Sequence, residues 1–132
     1  YTPYILIPRC IDFLDSLLPG GWTQLAERNH QLVLQASDIL SERLKTQLQA
    51  PRNMIGSMAC IPFAPLDNSY KAPGVKYSDP IQDLLFHEYK IEVPVVTFEG
   101  FHKRMVRLSA HAYNSIEDYV RLALAIEEIV GS

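Results

Sequence analysis

The sequence predicts an α+β fold: a small antiparallel sheet of three to four strands packed by helices, preceded by a linker helix and one long helix. Three observations carry that prediction. Apolar residues recur at helical spacing through Trp22, Leu25, Leu32, Val33, Ala36, Ile39, Leu40, Leu44 and Leu48. Two strand-like runs, over 91–98 and 104–112, are separated only by the turn Glu99-Gly100-Phe101-His102-Lys103, which favours a hairpin. A second apolar stripe at helical spacing, from Tyr119 to Val130, follows them.

The first segment, 4–18, is apolar nearly all round. Pro8 starts or kinks a helix there, because proline suits a first turn and not an interior. A helix apolar on most faces needs cover on most faces, so this one reads as a linker helix packed on a neighbour. Pro19-Gly20-Gly21 breaks it. The long helix then runs over 22–48, roughly 40 Å at 1.5 Å per residue, and stops at Ala50-Pro51.

Residues 55–63 read as a strand that Pro62 confines to an edge or an end. Residues 66–77 read as a loop. Asp79-Pro80 is a helix start, with Asp79 as cap and Pro80 in the first turn, and the helix ends near Tyr89. Pro94 places part of the 91–98 strand at an edge. Asn114-Ser115 caps the last helix, and Glu117 three residues after Asn114 resembles a capping box.

The 132 residues make about one domain, 48% hydrophobic and 20% charged, which excludes a disordered chain. No apolar run approaches the roughly 20 residues of a membrane span. A net charge of −3 with no basic block excludes a phosphate-backbone binder, so neither nucleic acid nor membrane is an expected partner. Cys10 and Cys60 lie in apolar runs far apart, as two reduced, buried thiols in a cytoplasmic protein would. His30, His87, His102 and His111 are scattered, without zinc spacing.

Side chains alternate along the 104–112 strand. Val106, Leu108, Ala110 and Ala112 make an apolar face that should meet the helices. Met105, Arg107, Ser109 and His111 point the other way. An arginine, a hydroxyl and an imidazole on one face suit an anion, because a guanidinium offers carboxylate or phosphate a planar pair of donors. A solvated sheet face of mixed polar residues has the same pattern.

The run Arg107-Leu108-Ser109-Ala110-His111-Ala112-Tyr113-Asn114-Ser115-Ile116-Glu117-Asp118 resembles the Arg-x-Ser…Tyr-Asn-(Ser/Thr)-x-Glu-Asp segment of class V aminotransferase-type, pyridoxal-phosphate-dependent enzymes. Cysteine desulfurases and isopenicillin N epimerase-like proteins belong to that group. Ile11-Asp12-Phe13-Leu14, Leu18-Pro19-Gly20-Gly21-Trp22 and Arg28-Asn29 are similar to the linker helix and small-domain start of the epimerase-like branch.

The resemblance implies a linker helix over 1–18 and a C-terminal small domain of fold type I over 19–132, with the large cofactor domain outside this chain. It implies that Arg107 grips the α-carboxylate of an amino acid substrate, with His111 a weaker candidate at the site edge. It implies pyridoxal 5'-phosphate in the complete enzyme, the large domain as partner, and a homodimer. No cofactor is expected on this chain alone. Among Lys45, Lys71, Lys76, Lys90 and Lys103, only Lys103 echoes the family's His-Lys pair, and it sits in a hairpin turn, so the isolated chain should be inactive. Epimerisation, desulfuration, transamination and β-elimination share this small domain, which leaves the reaction open. The alternative is a stand-alone α+β module that binds a small acidic ligand or another protein, with the apolar first helix as its contact surface.

Overall fold

The computed structural model describes residues 2–65, 79–98 and 101–131. Its elements run α1 (Thr2–Asp15), α2 (Gly21–Arg43), a 3₁₀ turn (Arg52–Met54), β1 (Met58–Pro65), α3 (Pro80–His87), β2 (Val95–Phe98), β3 (Phe101–Ser109) and α4 (Ile116–Gly131). The three strands form one antiparallel sheet in the order β1-β3-β2, so the α+β class and the hairpin both hold. The loop expected over 66–77 and the turn residues Glu99 and Gly100 lie outside the described residues.

β3 is central because it carries the most continuous apolar alternation. Val106, opposite Ile61 of β1 and Val95 of β2, is fully buried. β1, which carries Pro62, and β2, which Pro94 immediately precedes, are both edges, since proline has no N–H to give a second neighbour. Pro62 precedes a bulge in which Phe63 has no partner on β3. Pro94 ends the β2 ladder as an acceptor only, its carbonyl taking the Arg107 N–H at 3.0 Å.

α2 and α4 cover one face of the sheet. Val33, Ala36 and Leu40 of α2 meet Ile61, Val106 and Leu108, and Leu122, Ala123 and Ile126 of α4 complete the same core. α3 adds Leu85, and its Gln82 side chain accepts the Val95 N–H at 2.8 Å, which ties it to the β2 edge.

α2 ends five residues before the expected Leu48. Lys45 turns left-handed, with φ 51°, and closes a Schellman motif. The Thr46 N–H donates to Ser41 O at 2.9 Å, and the Lys45 N–H donates to Glu42 O at 3.4 Å. Leu44 still packs on the core from the helix C-cap, and Leu48 does so from the reversed chain. A β-carbon is strained in that conformation. Lys45→Gly is therefore expected to raise stability by about 0.5–1 kcal/mol, read as a higher urea midpoint with an unchanged slope.

β3 begins and ends three residues before the expected 104–112, so His111 and Ala112 lie in a turn and not on the strand. Met105 shares the Arg107 side of β3 by alternation yet is buried, so that face is solvated only in part. The box before α4 uses other partners than expected: Asp118 Oδ2 accepts the Ser115 N–H at 3.0 Å. Glu117 instead takes the Ser115 hydroxyl, which holds its carboxyl below the usual range.

α1 is helical through Pro8, and most of its apolar surface faces solvent. Its fastening to α2 is local. Asp15 Oδ1 accepts the Trp22 N–H at 2.8 Å, and Trp22 Nε1 donates to Ile11 O at 3.2 Å. Gly21 makes this possible: its φ is +58°, and a β-carbon there would run into the Asp15 carboxylate. Cys10 corrects the expectation of two buried thiols. It is exposed on α1, whereas Cys60 is half-buried on β1, and both are free.

Candidate functional site

Arg107 stands on β3 where β2 has not yet begun, opposite Pro94 on one side and Cys60 on the other. A full neighbouring strand would crowd it; the irregular segment 91–94 leaves it exposed. Arg107 lines a cavity of about 360 Å³ together with Glu92, Ser109, Tyr113, Asn114 and Asp118. Among the described residues Arg107 belongs to no ion pair; those pairs are Arg43–Glu127, Arg52–Asp38 and Arg104–Asp79. Its positive charge reaches the Cys60 thiol across the strand pair and draws it down, but burial outweighs this and the thiol is pushed up. Cys60 should thus stay protonated at neutral pH and react slowly with iodoacetamide compared with a free thiol.

Ser109 lies on the same side of β3 as Arg107, and its carbonyl is fixed by the buried Tyr119, whose hydroxyl donates at 2.7 Å. That burial is the main cause raising the Tyr119 phenol above its usual value of 10.0. A raised acid is favoured in its neutral form by the fold. The stability that Cys60 and Tyr119 add is therefore complete below their unfolded values of 9.0 and 10.0, and it fades as pH rises through the higher folded ones. A falling urea midpoint above about pH 9, partly flattened in Tyr119→Phe, is the expected record of it.

His111 is not brought to Arg107. Being beyond the strand, it turns to the opposite side and lines a second, larger cavity of about 820 Å³ between α2 and the 55–57 segment. Its Nδ1 accepts the Ala112 N–H at 2.9 Å, and its ring stacks on Tyr113 at 4.9 Å. Tyr113, 82% exposed, and Asn114 touch the Arg107 cavity from that turn.

Arg28 holds the turn in place. Its guanidinium donates to His111 O at 3.1 Å, to Asn114 O at 2.8 Å and to Asn29 Oδ1 at 3.1 Å. The Arg28-Asn29 pair stood out in the sequence only as part of a motif. The available signal was position: Asn29 falls four residues after Leu25 and four before Val33, a polar side chain on a buried stripe.

Among the described residues, no three His, Cys, Asp or Glu side chains gather as a metal would need, and no helix is long and apolar enough to cross a membrane. Lys45 and Lys103 line a cavity of only about 100 Å³. Lys90 Nζ donates to His87 O at 2.6 Å. Lys71 and Lys76 lie outside the described residues, as does the side chain of His102.

No family model matches the chain. It is similar along nearly its whole length to plant proteins named for one activity. A putative L-cysteine desulfhydrase 1 from Oryza sativa subsp. japonica is 26% identical over 148 residues, covering 99% of this chain and 29% of that protein. A probable chloroplastic L-cysteine desulfhydrase from Arabidopsis thaliana is 27% identical, covering 98% of this chain and 28% of that protein. An L-cysteine desulfhydrase from Arabidopsis thaliana is 25% identical, with coverage of 98% and 31%. The chain thus resembles a part of larger enzymes and spans 28–31% of the length of these relatives.

Proposed function

We propose that this chain is the substrate-closing C-terminal domain of a pyridoxal-phosphate-dependent enzyme acting on a small amino acid, with Arg107 holding the substrate α-carboxylate. The observation that carries the reading is the exposed Arg107 guanidinium, outside every ion pair among the described residues, on the wall of a 360 Å³ cavity. A carboxylate takes two parallel N–H donors from such a group, and a rigid central strand sets their direction. Tyr119 and Arg28 brace the strand end and the turn beside it. The relatives' names favour L-cysteine as substrate over the epimerase-like chemistry of the branch that the motifs resemble.

In this reading residues 1–18 link to the cofactor domain and 19–132 form the small domain. The described residues do not fit as the cofactor's own seat. None of their lysines lines the Arg107 cavity, and Lys45 and Lys103 share a space too small for the whole of pyridoxal phosphate. The cofactor would be held by the rest of the protein, and what this chain supplies is carboxylate binding, orientation and exclusion of water when the domain closes.

The test is to isolate the protein from its source cells at its native mass and measure sulfide release from L-cysteine. A mass several-fold above 15.0 kDa with sulfide release is the expected result. A native mass of 15.0 kDa overturns it and favours the stand-alone module, for which a 360 Å³ cavity with an arginine is room for a small acid.

A further inference from the structure

A larger cavity lies away from Arg107. It measures about 820 Å³ and is walled by Leu14, Trp22, Leu25, Ala26, Ile55 and Asn29. Asn29 is only 8% exposed, and its Oδ1 accepts from Arg28 Nη1. An arginine only donates, so the oxygen must face Arg28 and the carboxamide N–H₂ must face away from it. Among the described residues no acceptor takes those N–H groups, while the residue lines the cavity. The N–H₂ group therefore opens into the cavity with no protein acceptor, and an acceptor seated there would take it.

The cavity does not end at α2. Leu14 also lines an apolar groove of about 340 Å³ along α1, with Leu6, Cys10 and Phe13. The two depressions share Leu14, and the groove follows α1 from Leu6 to Leu14, roughly 12 Å at 1.5 Å per residue, before the larger cavity begins. A compact small molecule would cover a fraction of the two together. A polypeptide segment covers both and carries a carbonyl at every residue.

The relatives supply the source of such a segment, since this chain matches only 28–31% of their length. We propose that the α1–α2 cavity and the adjoining α1 groove seat an apolar segment from the remainder of the longer protein, with one of its backbone carbonyls on Asn29 Nδ2. The seat is separate from the Arg107 cavity, and it shares with the proposed function only the premise of a longer chain.

The experiment places the photoreactive residue p-benzoylphenylalanine at position 26, on the cavity wall, in the native-length protein, and identifies the cross-linked peptide by mass spectrometry. A cross-link to the same polypeptide outside these 132 residues is expected. Asn29→Asp keeps the acceptor for Arg28 but removes the donor, and should lower the yield about fivefold, the worth of one neutral hydrogen bond. Gly56→Trp provides a second variant: a β-carbon there meets nothing within 4 Å, so a large side chain can be added on the cavity wall and should lower the cross-link as well.

A cross-link only to a second copy of this domain, a bound small molecule in place of a cross-link, no cross-link, or a yield unmoved by both variants would overturn the proposal. So would a native mass of 15.0 kDa. Arg107→Ala should leave the cross-link intact, so a failed carboxylate assignment does not register here.

Discussion

Arg107→Ala in the native-length protein is expected to weaken amino acid binding about 100-fold and to change turnover at saturation far less. A two-pronged guanidinium–carboxylate contact is worth about 3 kcal/mol, and tenfold in affinity corresponds to about 1.4 kcal/mol. The loss falls on binding because the carboxylate is held equally in the bound substrate and in the reaction. Arg107→Lys keeps the charge but loses the fork, and should recover only part of the affinity. The control is an amine without a carboxylate, such as cysteamine, whose weak binding should not change. Unchanged L-cysteine affinity in Arg107→Ala would remove Arg107 from the site. The fold should tolerate the change, because the side chain is exposed and belongs to no ion pair among the described residues.

Asp79→Ala is expected to cost about 3 kcal/mol, lowering Tm by roughly 10 °C. Two roles meet in this one carboxylate. Its Oδ1 accepts the Ile81 N–H at 2.9 Å and caps α3, and its Oδ2 accepts Arg104 Nε at 2.8 Å. The pair is largely out of water, with the side chains 4% and 16% exposed, so removing one partner leaves a charge with poor solvation. The loss should spread to the sheet edge, because α3 holds Val95 through Gln82. Faster hydrogen exchange at the Val95 amide would mark it. Asp79→Asn retains an acceptor for the cap and should cost clearly less, which separates cap from charge. Equal Tm values for the two variants would contradict this division.

Arg107 illustrates how far the site could be read in advance. Its residue type and its place in the Arg-x-Ser motif pointed to carboxylate binding. Its exposure depends on β2 starting only at Val95, one residue past its neighbour Pro94. His111 shows the opposite case. Alternation put it beside Arg107 and Ser109, but that rule stops where the ladder stops, and the ladder stops at Ser109. Asn114 O accepts from Arg28, 86 residues earlier, a contact that spacing cannot signal.

What the sequence determined by itself is what short-range chemistry controls. Asp79-Pro80 starts α3 because cap and proline act on their own first turn. Pro62 and Pro94 mark edge strands because each lacks an N–H. Helical and alternating periods set the number, kind and order of the elements, and with them the α+β class. Tertiary structure decided the rest. The left-handed Lys45 reverses the chain so that Leu48 reaches the core from outside the helix. Asp15 and Gly21 set α1 against α2 with Cys10 and the apolar side chains of α1 left outward. Arg28 and Tyr119 fold the end of β3 so that Arg107 and His111 open into different cavities. These are long-range contacts, and their energies depend on which surfaces meet, which no local pattern encodes.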